Sequence, residues 1–347
     1  MIVVMDIEND YKLVELMVKD SMSAEGIYSP GPYWKAKSKS ALRQIKSLGI
    51  SDFRGASNTI GLSFTDSLFF DVTLGHMTTK SKIVDRVMSL PGLSHKQKNQ
   101  VTLARGLWDE QMRWKGALLA GSRRVGELLG KYSIKNTISA GCVDSVQVDG
   151  QTIATHYLQV LDTHDHLASQ LDYTSVSSML EIGGGFGSYT HLLVSNYPNL
   201  KKILYLDIAP NLYIGTQYLK THFPGSVQDY RDLRRKDSIQ FSDDDNLEIL
   251  CITPFQLPDF VGSLDLIHNA HSFVEMPREI ITNYANISLQ SLSDDGAITL
   301  VSYDGFDENT IPPQELPNYF GVKFEQTIVP TLTPGRVNYH FIHPPLA

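Results

Sequence analysis

Three groups of residues in this chain could do chemistry together: a tight run of glycines, two strand-ending acids, and two histidines with a glutamate beside them. The stretch Met179-Leu-Glu-Ile-Gly-Gly-Gly-Phe-Gly-Ser-Tyr-Thr-His-Leu192 sets Glu181 just ahead of Gly183, Gly185 and Gly187. An apolar run that breaks into glycines and resumes with Tyr189, Leu192 and Leu193 on one side reads as buried strand, loop and helix N-terminus. That geometry holds a nucleotide-like ligand, because glycine accepts positive φ and lets backbone touch a ligand with no Cβ between them. Lys202-Ile-Leu-Tyr-Leu-Asp207 is a second short strand ending in an acid. A carboxylate there can accept hydrogen bonds from both hydroxyls of a ribose, and Ile208 beside it would offer an apolar edge to adenine. The alternative is that Asp207 caps the helix opening at Pro210.

The basic groups come later. Ser263-Leu-Asp-Leu-Ile-His268 reads as a fourth strand that opens into Asn-Ala-His271-Ser-Phe-Val-Glu275-Met276. Loops at the carboxyl ends of parallel strands face the ligand crevice, so His268, His271 and Glu275 stand where a general base belongs. An imidazole with an ordinary pKa of about 6.5 is largely neutral at pH 7 and can take a proton. His271 could instead cap the helix that follows. A further pair, His164 and His166 in Asp162-Thr-His-Asp-His166, invites a metal reading. The stripe Ile153, Tyr157, Val160, His164, Leu167 and Leu171 puts His164 on an apolar face and His166 elsewhere, so no metal site is expected. His164 is then a buried or cofactor-facing residue.

Around these residues the chain divides in two. Residues 1–150 read as a mostly helical region, with helices expected over 6–23, 35–48, 80–90 and 94–120. Tyr28-Ser-Pro-Gly-Pro-Tyr-Trp34 breaks the periodicity, and Arg105, Trp108, Arg113 and Trp114 crowd one stretch. Arg54 to Leu74 carries little helical pattern and reads as loop. Residues 151–347 alternate strand and helix: helix 152–171, the two strands above, a third at Leu247–Thr253 and the fourth. A helix at Pro277–Leu292 follows, then a turn at Asp294-Asp-Gly296 and a fifth strand, Ala297–Ser302. Val322–Val329 and Val337–His343 would close the sheet as an antiparallel pair. The fold class is α/β, and the N-terminal region would cover the mouth of the crevice and recognise an acceptor.

Composition excludes several function classes. Hydrophobic residues make up 42% and charged residues 20% of 347, which describes an ordinary globular chain. No apolar run approaches the ~20 residues of a membrane helix, so no membrane partner is expected. Cys142 and Cys251 lie far apart and the N-terminus lacks a secretory pattern, from which a cytoplasmic location is expected. Residues 1–150 carry 20 Lys+Arg against 15 Asp+Glu, while the remainder carries 10 against 23, a charge of −13. The second half is therefore no nucleic-acid surface. The mildly basic first half could attract an anionic acceptor, or the two halves could simply pair. Homo-oligomer formation stays open.

The glycine spacing separates two cofactors. A dinucleotide loop prefers Gly-x-Gly-x-x-Gly, and Ser188 stands where its third glycine belongs. Glu181-x-Gly183-x-Gly185-x-Gly187 instead resembles the first motif of class I S-adenosylmethionine-dependent methyltransferases. The resemblance implies a Rossmann-like, seven-stranded methyltransferase sheet over roughly residues 150–347. It also implies a loop wrapped round the methionine end of S-adenosylmethionine, and Thr253 and Phe255 beside its adenine. Ser272-Phe-Val-Glu-Met276 and Pro30-Gly-Pro-Tyr-Trp34 resemble the putative sugar O-methyltransferases, implying a sugar, nucleotide sugar or similar small-molecule acceptor. His271 resembles the catalytic histidine that plant-type small-molecule O-methyltransferases place after their fourth strand, with His268 in contention. Two other readings stay open: a small-amine N-methyltransferase, and a non-catalytic partner subunit of the same fold.

Overall fold

The structure is a computed structural model that describes residues 7–29, 38–39, 41–43, 45–47, 49–51, 53–54, 123–137, 140–141, 145–148, 151–303, 311–332 and 336–343. The expected turn at residues 30–34, the loop after Arg54, the helices at 80–90 and 94–120 with their Arg–Trp cluster, and Cys142 lie outside the described residues.

The sheet is built from strands that are apolar on both sides. β3 (Ser178–Ile182), β4 (Lys202–Leu206), β6 (Glu248–Ile252), β7 (Leu264–Ala270) and β8 (Leu292–Ser302) run parallel to one another. Side chains alternate across the pleat, so Met179, Ile203, Cys251 and Leu266 join one apolar layer while Leu180, Leu204, Leu250 and Ile267 join the other. Burial on both faces is what a parallel sheet demands, and it explains why these strands read as near-continuous apolar runs.

The sheet has eight strands, in the order β5-β6-β4-β3-β7-β8-β10-β9, rather than the seven expected. The extra one, β5 (Val227–Gln228), is a two-residue edge strand too short to leave a sequence pattern. β9 (Glu325–Pro330) and β10 (Val337–His343) do pair antiparallel, and β10 also runs antiparallel to β8. From β3 the chain steps one way to β4 and β6, then returns to β7 on the other side of β3. That reversal opens a crevice at the carboxyl ends of β3 and β7.

Two boundaries differ from expectation for local reasons. Residues 151–154 are not helical: β2 (Gln151–Ala154) pairs with β1 (Ser145–Val148) as a hairpin, and the helix starts at Thr155. The Asp294-Asp-Gly296 turn is a bulge inside β8, since Leu264 pairs with Leu292 but Leu266 pairs with Ala297. Among described residues no helix is long and apolar enough to cross a membrane.

The N-terminal helix α1 (Tyr11–Ser23) lies on the sheet domain itself. Its Leu13, Val14 and Met17 belong to the same apolar cluster as Tyr213 and Leu219. The amide of Asp10 donates to the Tyr213 hydroxyl at 2.9 Å, and the Asp20 carboxylate pairs with Arg234 and accepts from Tyr230.

Three helices back the crevice: α2 (Thr155–Ala168), α3 (Ser188–Asn196) and α4 (Ala209–His222). Tyr205 locks α4 to the glycine loop. Its ring lies where a Cβ on Gly184 would come within 2.2 Å and one on Gly215 within 2.1 Å, and its hydroxyl donates to Gly185 O at 2.6 Å. Gly215→Ala would ordinarily gain about 1 kcal/mol of helix propensity. Here the added methyl meets a fully buried tyrosine, so the substitution should instead destabilise by about 1–3 kcal/mol. Urea unfolding of the two proteins checks the sign.

Candidate active site

The loop after β3 is held by main-chain geometry that only glycine adopts freely. Gly183, Gly185 and Gly187 have φ of +73°, +63° and +91°. The amides of Gly183 and Gly184 both donate to Leu206 O, at 2.8 and 3.3 Å, which ties the loop to the end of β4. Ser272 presses against Gly183, where a Cβ would lie 2.3 Å from its hydroxyl. The loop thus joins the ends of β3, β4 and β7 in one place.

Both strand-ending acids are buried. Asp207, 5% exposed, accepts from the amides of Gly185 at 2.7 Å and Ile208 at 2.6 Å, and from the Asn211 side chain. Burial outweighs those bonds and raises its pKa from 3.8 to about 7. Glu181 accepts from the Thr190 hydroxyl in the first turn of α3, and burial raises its pKa to about 8. Among the described residues no lysine or arginine neutralises either acid. Asp207 also does not cap α4 in the expected sense: Ile208 holds the N-cap position, and Asp207 bridges the amides of Gly185 and Ile208.

The histidines part company. His268 on β7 is 1% exposed, bonds Thr299 through Nδ1 at 2.8 Å and stacks on Tyr189 at 4.0 Å. It opens a buried polar network that runs through Tyr173, Tyr189, His164 and Tyr197. His164 is therefore a core residue rather than a cofactor-facing one. Burial and neighbouring histidines hold His268 down to about 3. His271 lies past the strand end with φ +66°, a left-handed conformation costly for a side chain of this size. Its amide donates to Val301 O, but its buried Nδ1 has no hydrogen-bond partner. Burial lowers its pKa to about 4.

Glu275 belongs to the same corner. Its Oε1 accepts from the Tyr303 hydroxyl at 2.8 Å, and the Tyr303 ring lies 5.4 Å from that of His271. Tyr303 was missed in the sequence, although it directly follows the carboxyl end of β8. Asn269 and Ser272 were missed too: Asn269 Nδ2 donates to Ile182 O at 2.9 Å and to the Ser272 hydroxyl. His156, at the start of α2, bonds the Ser188 hydroxyl through Nε2 at 3.0 Å, beside the loop.

Thr253 and Phe255 are less engaged with the loop. The Thr253 hydroxyl donates to Gln256 Oε1 at 2.9 Å in a capping box. Phe255 lines a cavity of about 190 Å³ with Tyr230, Leu233 and Arg234, to which the glycine loop contributes nothing. Asp162, read as part of a possible metal cluster, pairs with Arg124 at 2.8 Å.

No family model and no curated protein matches the chain. A solved S-adenosylmethionine-dependent methyltransferase from Leishmania major is 17% identical over 67% of this chain and 89% of its own, with a TM-score of 0.38. A Pyrococcus horikoshii protein is 12% identical over 55% of this chain and 92% of its own, with a TM-score of 0.39. A pyocyanin biosynthetic protein is 11% identical over 54% of this chain, with a TM-score of 0.38, and this chain spans 56% of its length. Identities this low and TM-scores below 0.5 bear no argument about activity. The functional reading rests on the residues.

Because folding raises the Asp207 and Glu181 pKa values, the folded state holds more protons than the unfolded one up to pH 7 to 8. Stability conferred by these groups is therefore present at low pH and lost as pH rises through those values. Buried histidines held near 3 to 4 act in the opposite sense below pH 6.5, so the readout is a difference: native protein should gain melting temperature relative to Asp207→Asn as pH falls from about 8 to about 6. A melting series in buffers of matched ionic strength checks this.

Proposed function

We propose that this chain is an S-adenosylmethionine-dependent methyltransferase that methylates a hydroxyl of a small sugar-like metabolite. The observation that carries the reading is His271: a strained, half-buried imidazole with an unpartnered Nδ1 at the mouth of a glycine-loop crevice. Strain and an orphaned polar atom are costs a fold keeps where function needs them.

The residues present fit the cofactor. Three positive-φ glycines leave the loop backbone open to close approach, and Asp207 is a buried carboxyl with no cation. Two ribose hydroxyls would donate to it and favour its ionised form. Ile208, half-buried at the start of α4, offers an apolar edge. When bound, the cofactor supplies a methyl group on a positively charged sulfur, transferred in line to the attacking oxygen. His271 then accepts the hydroxyl proton at Nδ1 as the oxygen attacks. Burial keeps its imidazole neutral and hence able to accept. The Glu275–Tyr303 pair fixes the aromatic wall beside that ring. His268, sealed in the core against Thr299 and Tyr189, is a supporting residue in this mechanism rather than the base. The first 150 residues would supply the acceptor-recognising lid, and the Ser272-Phe-Val-Glu-Met276 run supports the sugar class.

His271→Ala should bind S-adenosylhomocysteine as the native protein does while single-turnover methyl transfer falls roughly 10²–10⁴-fold. With a base held near 4, turnover at saturation should stay level down to about pH 5 rather than fall near 6.5. Near-native chemistry in folded His271→Ala would remove it as the base. Asp207→Ala should weaken S-adenosylhomocysteine by about tenfold or more, from loss of charge-assisted hydrogen bonds, read by titration calorimetry.

A further inference from the structure

The strongest unassigned feature is an arginine with no counter-charge. Arg54 is fully buried, at 0% exposure. Its Nε and Nη2 donate to the carbonyl oxygens of Ala140 and Thr137. Nη1 is buried with no partner, and among the described residues no carboxylate pairs with the guanidinium. A buried cation without an anion is among the costliest arrangements a core can hold. The segment carrying it is well anchored nonetheless. The Arg54 amide donates to Gly141 O at 3.0 Å, and Gly141 leaves room for the Phe53 ring where a Cβ would lie 2.4 Å away.

Arg54 lies between the glycine loop and α4, where its charge also acts on His191 and His222. Its guanidinium carbon lies 4.9 Å from the centre of the Phe186 ring, between Gly185 and Gly187, and 5.6 Å from that of Tyr218. Charges meet the loop in a fixed order. The acids reach it at its first half: Glu181 against Gly184, and Asp207 on the amide of Gly185. The basic groups reach it at its second half: Arg54 over Phe186, and His156 on Ser188. Burial above all, and then the positive charge of Arg54, holds His156 in its neutral form.

We infer that Arg54, through its unpartnered Nη1, receives the carboxylate at the amino-acid end of the cofactor. This rests on the methyltransferase reading and deepens it. A guanidinium binds a carboxylate with strong, directional, charge-assisted hydrogen bonds. A cofactor lying with its ribose at Asp207 and its methyl group toward His271 has its amino-acid end free to reach the second half of the loop. A carboxylate on the acceptor offers the same chemistry, and the experiment separates the two sources.

The test is titration calorimetry of the full chain with two ligands. S-adenosylhomocysteine carries the carboxylate, whereas 5′-methylthioadenosine keeps the nucleoside and sulfur but lacks the amino acid. Arg54→Met should bind 5′-methylthioadenosine like the native protein and S-adenosylhomocysteine roughly ten- to a hundredfold more weakly. Arg54→Lys, which keeps the charge without the fork, should show the same selective loss in smaller degree, and decides the matter if the methionine variant does not fold. Unchanged S-adenosylhomocysteine affinity in a folded variant overturns the inference, as does equal weakening of both ligands. Unchanged affinity with loss of the thermal protection given by succinate moves the carboxylate to the acceptor and overturns it as well. Native protein that binds neither nucleoside overturns this inference and the methyltransferase reading together.

Discussion

The structure of the site depends on one buried carboxylate. Among the described residues Asp207 has no cation to neutralise it, and it is held by the amides of Gly185 and Ile208 with the Asn211 side chain. Those bonds pin the loop after β3 to the end of β4, and the amides of Gly183 and Gly184 close the same joint by donating to Leu206 O. Desolvation still wins, so the carboxyl is held near pH 7 in a place with unspent capacity to accept hydrogen bonds. A ligand hydroxyl that donates there recovers part of that cost.

The rest of the crevice is arranged to keep that joint rigid. Tyr205 fills the gap between Gly184 and Gly215 and bonds Gly185 O, so loop and α4 move together. Glu181 reaches from the end of β3 to Thr190 in the first turn of α3. Behind α3 a second network, from His268 through Thr299, Tyr173, Tyr189 and His164 to Tyr197, satisfies polar groups that could not otherwise be buried. The two buried histidines of that network are held neutral by desolvation, which suits a core role.

His271 stands outside this economy. Every polar atom of the neighbouring Asn269 side chain is used, bonding Ile182 O, the Ser272 hydroxyl and the Phe273 amide. His271 two residues later has a left-handed backbone and an idle ring nitrogen. Arg54 has a comparable deficit, an idle Nη1 in full burial, and so does Asn211, whose Oδ1 is idle beside Asp207. The deficits at His271 and Arg54 border the same glycine loop.

The sequence by itself determined the strands of the sheet's centre and the loop between them. Apolar runs buried on both faces, glycines at 183, 185 and 187, and acids at strand ends are local signals, because strand burial and positive φ constrain residue type one position at a time. It also set His271 and Glu275 just past the end of β7, in the stretch whose Ser272 presses on Gly183. Tertiary structure alone decided what separates His268 from His271, because a single strand pattern does not say which face meets Tyr189 and Thr299. The edge strand β5, the hairpin that replaced the start of the helix at 152, and the role of Tyr303 were likewise fixed by pairing partners distant in sequence. Arg54 is the clearest case: its neighbours Thr137, Ala140, Phe186 and Tyr218 lie 83 or more residues away along the chain. Burial without a counter-charge is a property of that assembly, and no window of the sequence contains it.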